Sequence, residues 1–149
     1  MSRLALVVLT LLLLASVLPA QQNQSQQRPS PYAAVPAEAA QKANPVKSSP
    51  ESLDRAKKWW TLDCAMCHGK LGDGKGDLAQ DMKLQIVDFT DPATLKDHTD
   101  GEIFWVIKNG TQDMPPEGPR VKVEENWDLV NYVRSLAKKK PEAEQKPQQ

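Results

Sequence analysis

The sequence has few of the side chains from which metal sites are built, with two cysteines and two histidines among 149 residues. Its charges balance to a formal net charge of zero. It therefore lacks the basic excess of a nucleic-acid-binding protein, and we expect no nucleic-acid partner. A zinc site is also disfavoured, because His98 lies 30 residues beyond His68 without a partner at zinc-ligand spacing. The strongest indication of a functional site is the one stretch that holds both cysteines.

That stretch reads Cys64-Ala65-Met66-Cys67-His68, the C-x-x-C-H pattern of a c-type haem attachment site. On one helical turn, residues three and four apart share a face, so Cys64, Cys67 and His68 should point the same way. Two thiols there can form thioethers with the haem vinyl groups while the imidazole reaches the iron as an axial ligand. The alternative is a dithiol redox pair of the thioredoxin type. It needs a βαβ context that the helical periodicity does not provide.

The motif is followed by four glycines between residues 69 and 76. A phosphate-binding loop is disfavoured there, because no strand precedes the glycines and the Lys-Ser/Thr ending is absent. Calcium is disfavoured because the twelve-residue EF-hand pattern is missing. We expect a loop that bends around one haem edge. Beyond it, apolar side chains could line a pocket: Leu78, Met82, Leu84, Ile86, Val87 and Phe89.

The amino-terminal residues 1–20 carry one early positive charge, Arg3, before an apolar run from Leu4 to Leu18. This order is typical of a secretory signal peptide. An uncleaved membrane anchor is the alternative, although a spanning helix needs about 20 apolar residues, with a lower limit near 17. We therefore predict export to the bacterial periplasm, with a tether to the outer face of the inner membrane only if the leader is retained.

Residues 21–49 are rich in Gln, Pro, Ala and Ser, with Tyr32 as the single aromatic residue. Such a composition buries too little apolar surface to offset the entropy of ordering, so we predict a disordered linker. The polar residues 138–149 are predicted to form a disordered tail. The folded domain is expected over residues 50–137.

Three main helices are predicted within that domain. The first begins at a Ser49 N-cap, has Pro50 at its first helical position and runs into the haem motif. Its polar face is interpreted as solvated surface and carries Asp54, Arg55, Lys57, Lys58 and Asp63. The second opens with a capping box formed by Thr99 and Glu102 and stops at Asn109-Gly110. The third is predicted from Val123 to Ala137, where apolar residues recur with helical spacing.

Between the second and third helices stands Met114, followed by Pro115-Pro116 and 46 residues after His68. A residue before proline is driven toward an extended conformation, so Met114 should be held on a stiff loop. A thioether placed that way suits the second axial position of a haem iron. Filling a core gap is the alternative role for this methionine. Met82 and His98 are the rival ligands.

Taken together, these motifs resemble those of the class I cytochrome c family, particularly its small bacterial monohaem domains. The resemblance covers about residues 49–137 and includes Ala56, Trp60, the C-x-x-C-H motif, Met114-Pro115 and the closing Asn131-Tyr132-Val133-Arg134-Ser135-Leu136. It implies an all-α fold in which three main helices and loops wrap one covalent haem. Ala56 stands where the family often has glycine, at the crossing of its first and last helices, and Trp60 is expected to meet Tyr132 across it.

The function implied is one-electron transfer by a haem c with His68 and Met114 as iron ligands. We expect a monomeric periplasmic carrier, not an enzyme, that exchanges electrons with redox protein partners. A haem subunit of a larger respiratory oxidoreductase complex is the alternative. A gas-binding or peroxidatic haem protein is a third, and it requires that Met114 be unbound. Arg120, Trp105 and Trp59 are candidate hydrogen-bond donors to the haem propionates.

Overall fold

The computed structural model describes residues 30–137. The predicted signal peptide, the first part of the predicted linker and the predicted tail lie outside the described residues. Within residues 30–137 every regular element is helical, so the predicted all-α class is confirmed. None of the helices in this range has the length and apolar character needed to cross a membrane.

The first long helix, α2 (Pro50–Trp59), follows a short helix α1 (Ala37–Ala40). It begins as predicted, because the Ser49 hydroxyl accepts a hydrogen bond from the Ser52 backbone N–H at 3.2 Å. The Ser52 hydroxyl in turn accepts from the Ser49 N–H at 3.0 Å. This reciprocal pair satisfies two backbone donors that the helix itself leaves free.

The haem motif is not reached by one uninterrupted α-helix. A wider π-helical turn (Trp60–Cys64) separates α2 from the short helix α3 (Ala65–His68). Such turns insert one residue into the helical ladder and are frequent at functional sites. A five-residue helix α4 (Asp77–Asp81) follows the glycine loop.

The second main helix, α5 (Asp100–Asn109), has the predicted capping box between Thr99 and Glu102 and ends at Gly110. The third, α6 (Val123–Ser135), begins where predicted and ends two residues earlier than Ala137. The three main helices expected from the sequence are therefore present as α2, α5 and α6.

The core forms where α2 packs against α6. Ala56 and Val130 are fully buried there, and Leu129 is 1% exposed. The Trp60 ring lies 5.5 Å from that of Tyr132, which is the predicted contact between these two residues. Alanine at position 56 is thus small enough for the two helices to pack closely. The core fixes the helix that leads into the haem motif.

Two residues of the predicted solvated face, Arg55 and Asp63, form ion pairs with other parts of the chain. Arg55 makes a two-pronged ion pair with Asp128 of α6, Nε to Oδ2 at 2.8 Å and Nη2 to Oδ1 at 3.2 Å. Asp128 is fully buried. Asp63 lies 3.2 Å from the Arg120 guanidinium. Both partners come from distant parts of the chain, so the periodicity of the helix alone does not reveal them.

The predicted disordered linker is also wrong over residues 30–49. These residues are ordered against the domain, with α1 packed on α5 and Val46 against the core. The reason is that the segment does not need a core of its own. Its backbone and Asn44 form hydrogen bonds to α6 and to the residue before α5, which composition does not report.

Candidate functional site

An apolar cavity lies among the main helices. Its walls come from α5, α6, the π-helical turn, α3 and three loops. The lining residues are Tyr32, Trp60, Cys64, His68, Phe89, Ile103, Val106, Ile107, Met114, Leu129 and Val133. Two side chains with metal-ligating atoms, His68 and Met114, therefore line the same cavity although 46 residues separate them in sequence.

His68 is held by the glycine loop that follows it. The Gly74 N–H donates to the His68 carbonyl at 2.9 Å, and the Gly76 N–H to the Cys67 carbonyl at 3.2 Å, so the loop caps α3. The Phe89 N–H donates to the Gly72 carbonyl at 2.8 Å. This bond brings the Phe89 ring to 5.2 Å from the imidazole of His68, nearly parallel to it at 21°.

The imidazole of His68 is in the protonation state that metal ligation requires. Burial lowers the pKa of His68 to about 4, so the ring is neutral at physiological pH. Its Nδ1 atom is buried and has no hydrogen-bond partner within the described part of the chain. Neutral imidazole is the form that binds a metal.

The two cysteines differ in their surroundings. Cys64 lines the cavity, whereas Cys67 is half-buried and outside the lining. The pKa of Cys64 is raised to about 12, mainly by burial and then by the charges of Glu117 and Asp63. Cys64 is thus held as a thiol, whereas thioredoxin-type exchange needs a thiolate. With no strand among residues 30–137, the dithiol alternative has no structural support.

Met114 is half-buried and held in place by hydrogen bonds within its own loop. The Met114 N–H donates to the Thr111 hydroxyl at 3.3 Å, and the Thr111 N–H donates back to the Met114 carbonyl at 2.8 Å. Gly110, at φ 71°, lets the chain leave α5 toward this turn. A side chain at Gly110 would also collide with the Met114 carbonyl.

The loop is tied a second time after its two prolines. The Glu117 N–H donates to the Ile107 carbonyl at 3.0 Å, and the Gly118 N–H donates to the Lys108 carbonyl at 3.0 Å. These carbonyls belong to the last turn of α5, which has no internal partners for them. Met114 is therefore held between a hydrogen-bonded turn with Thr111 on one side and two bonds to the last turn of α5 on the other.

The remaining sequence candidates lie elsewhere. Met82 is 59% exposed, and His98 stacks on Tyr32 with ring centroids 3.7 Å apart. Neither lines the cavity. Arg120 is bound to Glu117 at 2.6 Å and to Asp63 at 3.2 Å. Of the six apolar residues expected to line a pocket after the glycine loop, Phe89 does so.

Comparison with known proteins agrees with this architecture. A family model described as Cytochrome c matches residues 53–137, which is more than half of the chain. The chain belongs to the cytochrome c family. For this cytochrome c domain, family membership implies haem c as the cofactor and haem-based electron transfer as the activity. A search of curated proteins gave no significant match.

Among solved structures, the cytochrome resembles a chain of the Kuenenia stuttgartiensis reducing HAO-like protein complex Kustc0457/Kustc0458. The TM-score is 0.55 and the sequence identity 25% over 63% of this chain. The match spans 47% of the Kuenenia chain, about half of its length.

The residues of the cavity fit a haem c. An imidazole and a thioether converge on an apolar space beside a thiol, and His68 Nδ1 is buried without a partner. His68 and Met114 are the residues that would hold the iron, and Cys64 and Cys67 those that would hold the porphyrin. Among residues 30–137 no cluster of three or more His, Cys, Asp or Glu side chains could hold another metal ion.

Sequence reasoning missed one wall of the cavity, Tyr32. The segment that contains it is predicted to be a linker because its Gln-, Pro-, Ala- and Ser-rich composition buries little apolar surface. The signal that was available is Tyr32 itself, the one aromatic side chain in residues 21–49. A lone aromatic residue in a polar segment needs a distant partner, and the sequence does not identify that partner.

Proposed function

We propose that the protein is a one-electron carrier whose haem c is attached through Cys64 and Cys67 and ligated by His68 and Met114. The observation that carries the proposal is the convergence of His68, Met114 and Cys64 on one apolar cavity. When bound, the haem supplies reversible one-electron exchange between Fe(II) and Fe(III). The chain's own residues determine where the haem lies and what reaches it.

His68 and Met114 have complementary roles in this proposal. The imidazole is fixed by α3 and by its stacking on Phe89, so it offers one orientation of its donor nitrogen. Met114 offers a soft thioether, which stabilises Fe(II) and raises the reduction potential. With both side chains engaged, the protein presents no open position to a substrate. The arrangement therefore suits electron transfer better than gas binding or peroxide chemistry.

The surrounding side chains exclude water from the site. Eight of the lining residues are carbon-rich side chains from α5, α6, the π-helical turn and two loops, listed here as Tyr32, Trp60, Phe89, Ile103, Val106, Ile107, Leu129 and Val133. Low solvent access favours the less charged Fe(II) state and so raises the potential further. It also limits the reorganisation of water that accompanies each electron.

Two measurements test the proposal. Haem staining of the denatured, gel-separated protein should be positive, because thioethers survive denaturation. The oxidised protein should show the methionine-to-iron charge-transfer band, and the band should persist at short times after cyanide is added. A stain-negative protein produced with haem-attachment machinery would refute covalent binding. A missing band would refute Met114 as a ligand and favour the gas-binding or peroxidatic alternative.

A second candidate function is that of a haem subunit in a larger oxidoreductase complex. It is favoured by the similarity to part of a chain in the Kuenenia HAO-like complex. Affinity purification of the tagged protein from solubilised membranes separates the two. Stoichiometric co-purification of a redox enzyme supports the subunit, and a monomeric haem protein recovered from the periplasmic fraction supports the carrier. The same fractionation tests the proposed periplasmic location.

A further inference from the structure

The segment of residues 30–46, here called the N-terminal strap, precedes the region that matches the cytochrome c family, yet it is attached to the domain. Asn44 Nδ2 donates to the Trp127 carbonyl at 3.3 Å and to Asn131 Oδ1 at 3.0 Å. Asn131 Nδ2 donates in return to the Val46 carbonyl at 3.0 Å. One end of the strap is thus fixed to α6 by hydrogen bonds from Asn44 to α6 and from Asn131 of α6 to the strap backbone.

The middle of the strap is fixed at the start of α5. The Thr99 hydroxyl donates to the Ala40 carbonyl at 2.7 Å. The strap passes so close to α5 that a Cβ atom at Gly101 would lie 2.9 Å from the carbonyl oxygens of Ala40 and Lys42, and nearer still to that of Ala39. Glycine at this helical position, usually unfavourable compared with alanine, therefore provides the space in which the strap packs.

The other end of the strap delivers Tyr32 to the cavity. The Tyr32 carbonyl accepts from the Val35 N–H at 3.1 Å in a turn, and the ring stacks on His98 at 3.7 Å and 23°. The same residue lines the cavity with His68 and Met114. Burial raises the pKa of Tyr32 to about 12, so its phenol is neutral at physiological pH. An uncharged aromatic wall is compatible with an apolar cofactor pocket.

We infer that Tyr32 is a further haem-contacting residue and that the N-terminal strap is a wall of the haem pocket that limits solvent access to the iron. The inference rests on the proposed function, because it concerns the environment of the same haem. Closure by the strap removes water from one side of the pocket. Since the solvent exposure and the hydrophobic shell of a haem set its potential, an intact strap keeps the potential high.

The first test replaces the wall itself. In the haem-loaded protein, Tyr32→Ala should shift the Fe(III)/Fe(II) equilibrium about tenfold toward Fe(III), which is 59 mV for a one-electron couple. Tyr32→Phe keeps the ring and should retain the original potential. The matched control is Lys42→Ala, an exposed side chain on the same strap, which should also leave the potential unchanged. An unshifted Tyr32→Ala potential would overturn the inference.

The second test displaces the strap without altering any residue that lines the cavity. Gly101→Ala adds a methyl group where the strap backbone passes, while alanine is the better helix former in α5. We expect faster hydrogen–deuterium exchange in residues 36–46 and a potential lowered in the same direction as in Tyr32→Ala. Faster hydrogen–deuterium exchange with an unchanged reduction potential would show that the strap does not limit solvent access to the haem.

The two proposals fail in distinguishable ways. Absence of haem stain in the unsubstituted protein would defeat the proposed function, and the inference about the strap with it. Positive staining and the methionine band, combined with unshifted potentials in Tyr32→Ala and Gly101→Ala, would defeat the strap alone.

Discussion

The two sides of the cavity are built in different ways. On one side, Cys64 and His68 line the cavity, and with Cys67 they lie within five consecutive residues at the end of a helical segment that includes the π-helical turn. On the other side, Met114 sits in a loop without regular structure, held by Thr111 and by the last turn of α5. We call these the motif side and the methionine side.

The two sides differ in what fixes the positions of their side chains. On the motif side, Cys64 and His68 reach the cavity from neighbouring helical turns, and the glycine loop that directly follows them caps α3. On the methionine side, the sequence supplies a thioether before a proline, but hydrogen bonds within the loop and from the loop to the last turn of α5 set where it lies. Substitutions should therefore act as nearly all-or-none changes on the motif side and as graded changes on the methionine side.

The largest effect is expected from breaking the motif side. Cys64→Ser with Cys67→Ser removes both proposed thioether sulfurs, so haem stain on a denaturing gel should fall to background. The protein without haem should be largely unfolded, because a ligand that binds only the native state contributes directly to its stability. Circular dichroism during heating measures this. A cooperative thermal transition in the haem-free variant would contradict the expectation.

Breaking the methionine side should leave covalent attachment intact. Met114→Ala should keep the haem stain but lower the reduction potential by roughly a hundred millivolts or more, since axial ligands spread haem potentials over about 0.8 V. The charge-transfer band should also disappear. The matched control is Met82→Ala, at an exposed methionine that should leave both unchanged. If Met114→Ala had no effect on potential, another ligand would hold the iron.

Much of this comparison was accessible from the sequence. The C-x-x-C-H spacing, the capping residues Ser49 and Thr99, and the stop at Gly110 all depend on neighbours within a few residues, and the structure has the predicted helices there. Met114 was selected because of the proline that follows it. Its position in the cavity agrees with that selection, while its ligation stays a prediction.

The parts that sequence reasoning missed depend on distant partners. Tyr32 is far in sequence from His98, and Asp128 of α6 is also far from Arg55. The π-helical turn at Trp60–Cys64 was missed because it changes the helical register without a glycine or proline to mark it. Such features require the packed fold before they can be recognised.

A graded effect is expected when the support of Met114 is weakened. Thr111→Val removes the hydroxyl that accepts from the Met114 N–H, a hydrogen bond worth about 1 kcal/mol, or roughly a fivefold change in an equilibrium constant. The midpoint for displacing the methionine with added imidazole should fall by about that factor. Thr111→Ser keeps the oxygen and should restore it.

A matched substitution on the motif side sharpens the comparison. Ser49→Ala removes the N-cap of α2 and should cost about 1 kcal/mol in the free energy of unfolding. It should leave the imidazole midpoint unchanged, because Ser49 supports the helix and not the methionine loop. A midpoint that fell equally in Ser49→Ala would mean that the two sides are not independently supported.

The smallest effect is expected at the ion pair that joins the two sides. Arg120, just beyond the methionine loop, contacts Asp63 in the π-helical turn at 3.2 Å and also pairs with the buried Glu117 at 2.6 Å. Asp63→Asn removes the negative charge from the first contact and leaves Glu117 paired, so no buried charge loses its partner. Because Arg120 is half exposed, solvent screens the lost attraction.

We therefore expect Asp63→Asn to lower the thermal midpoint by less than Ser49→Ala does. The loss caused by Asp63→Asn should disappear at about 1 M salt, where the screening length is about 3 Å. Arg120→Gln is the informative companion, since it leaves Glu117 buried without its cation and should destabilise the protein more at every salt concentration. Equal losses in the two variants would mean that the Arg120–Glu117 pair adds no stability beyond that of the contact with Asp63.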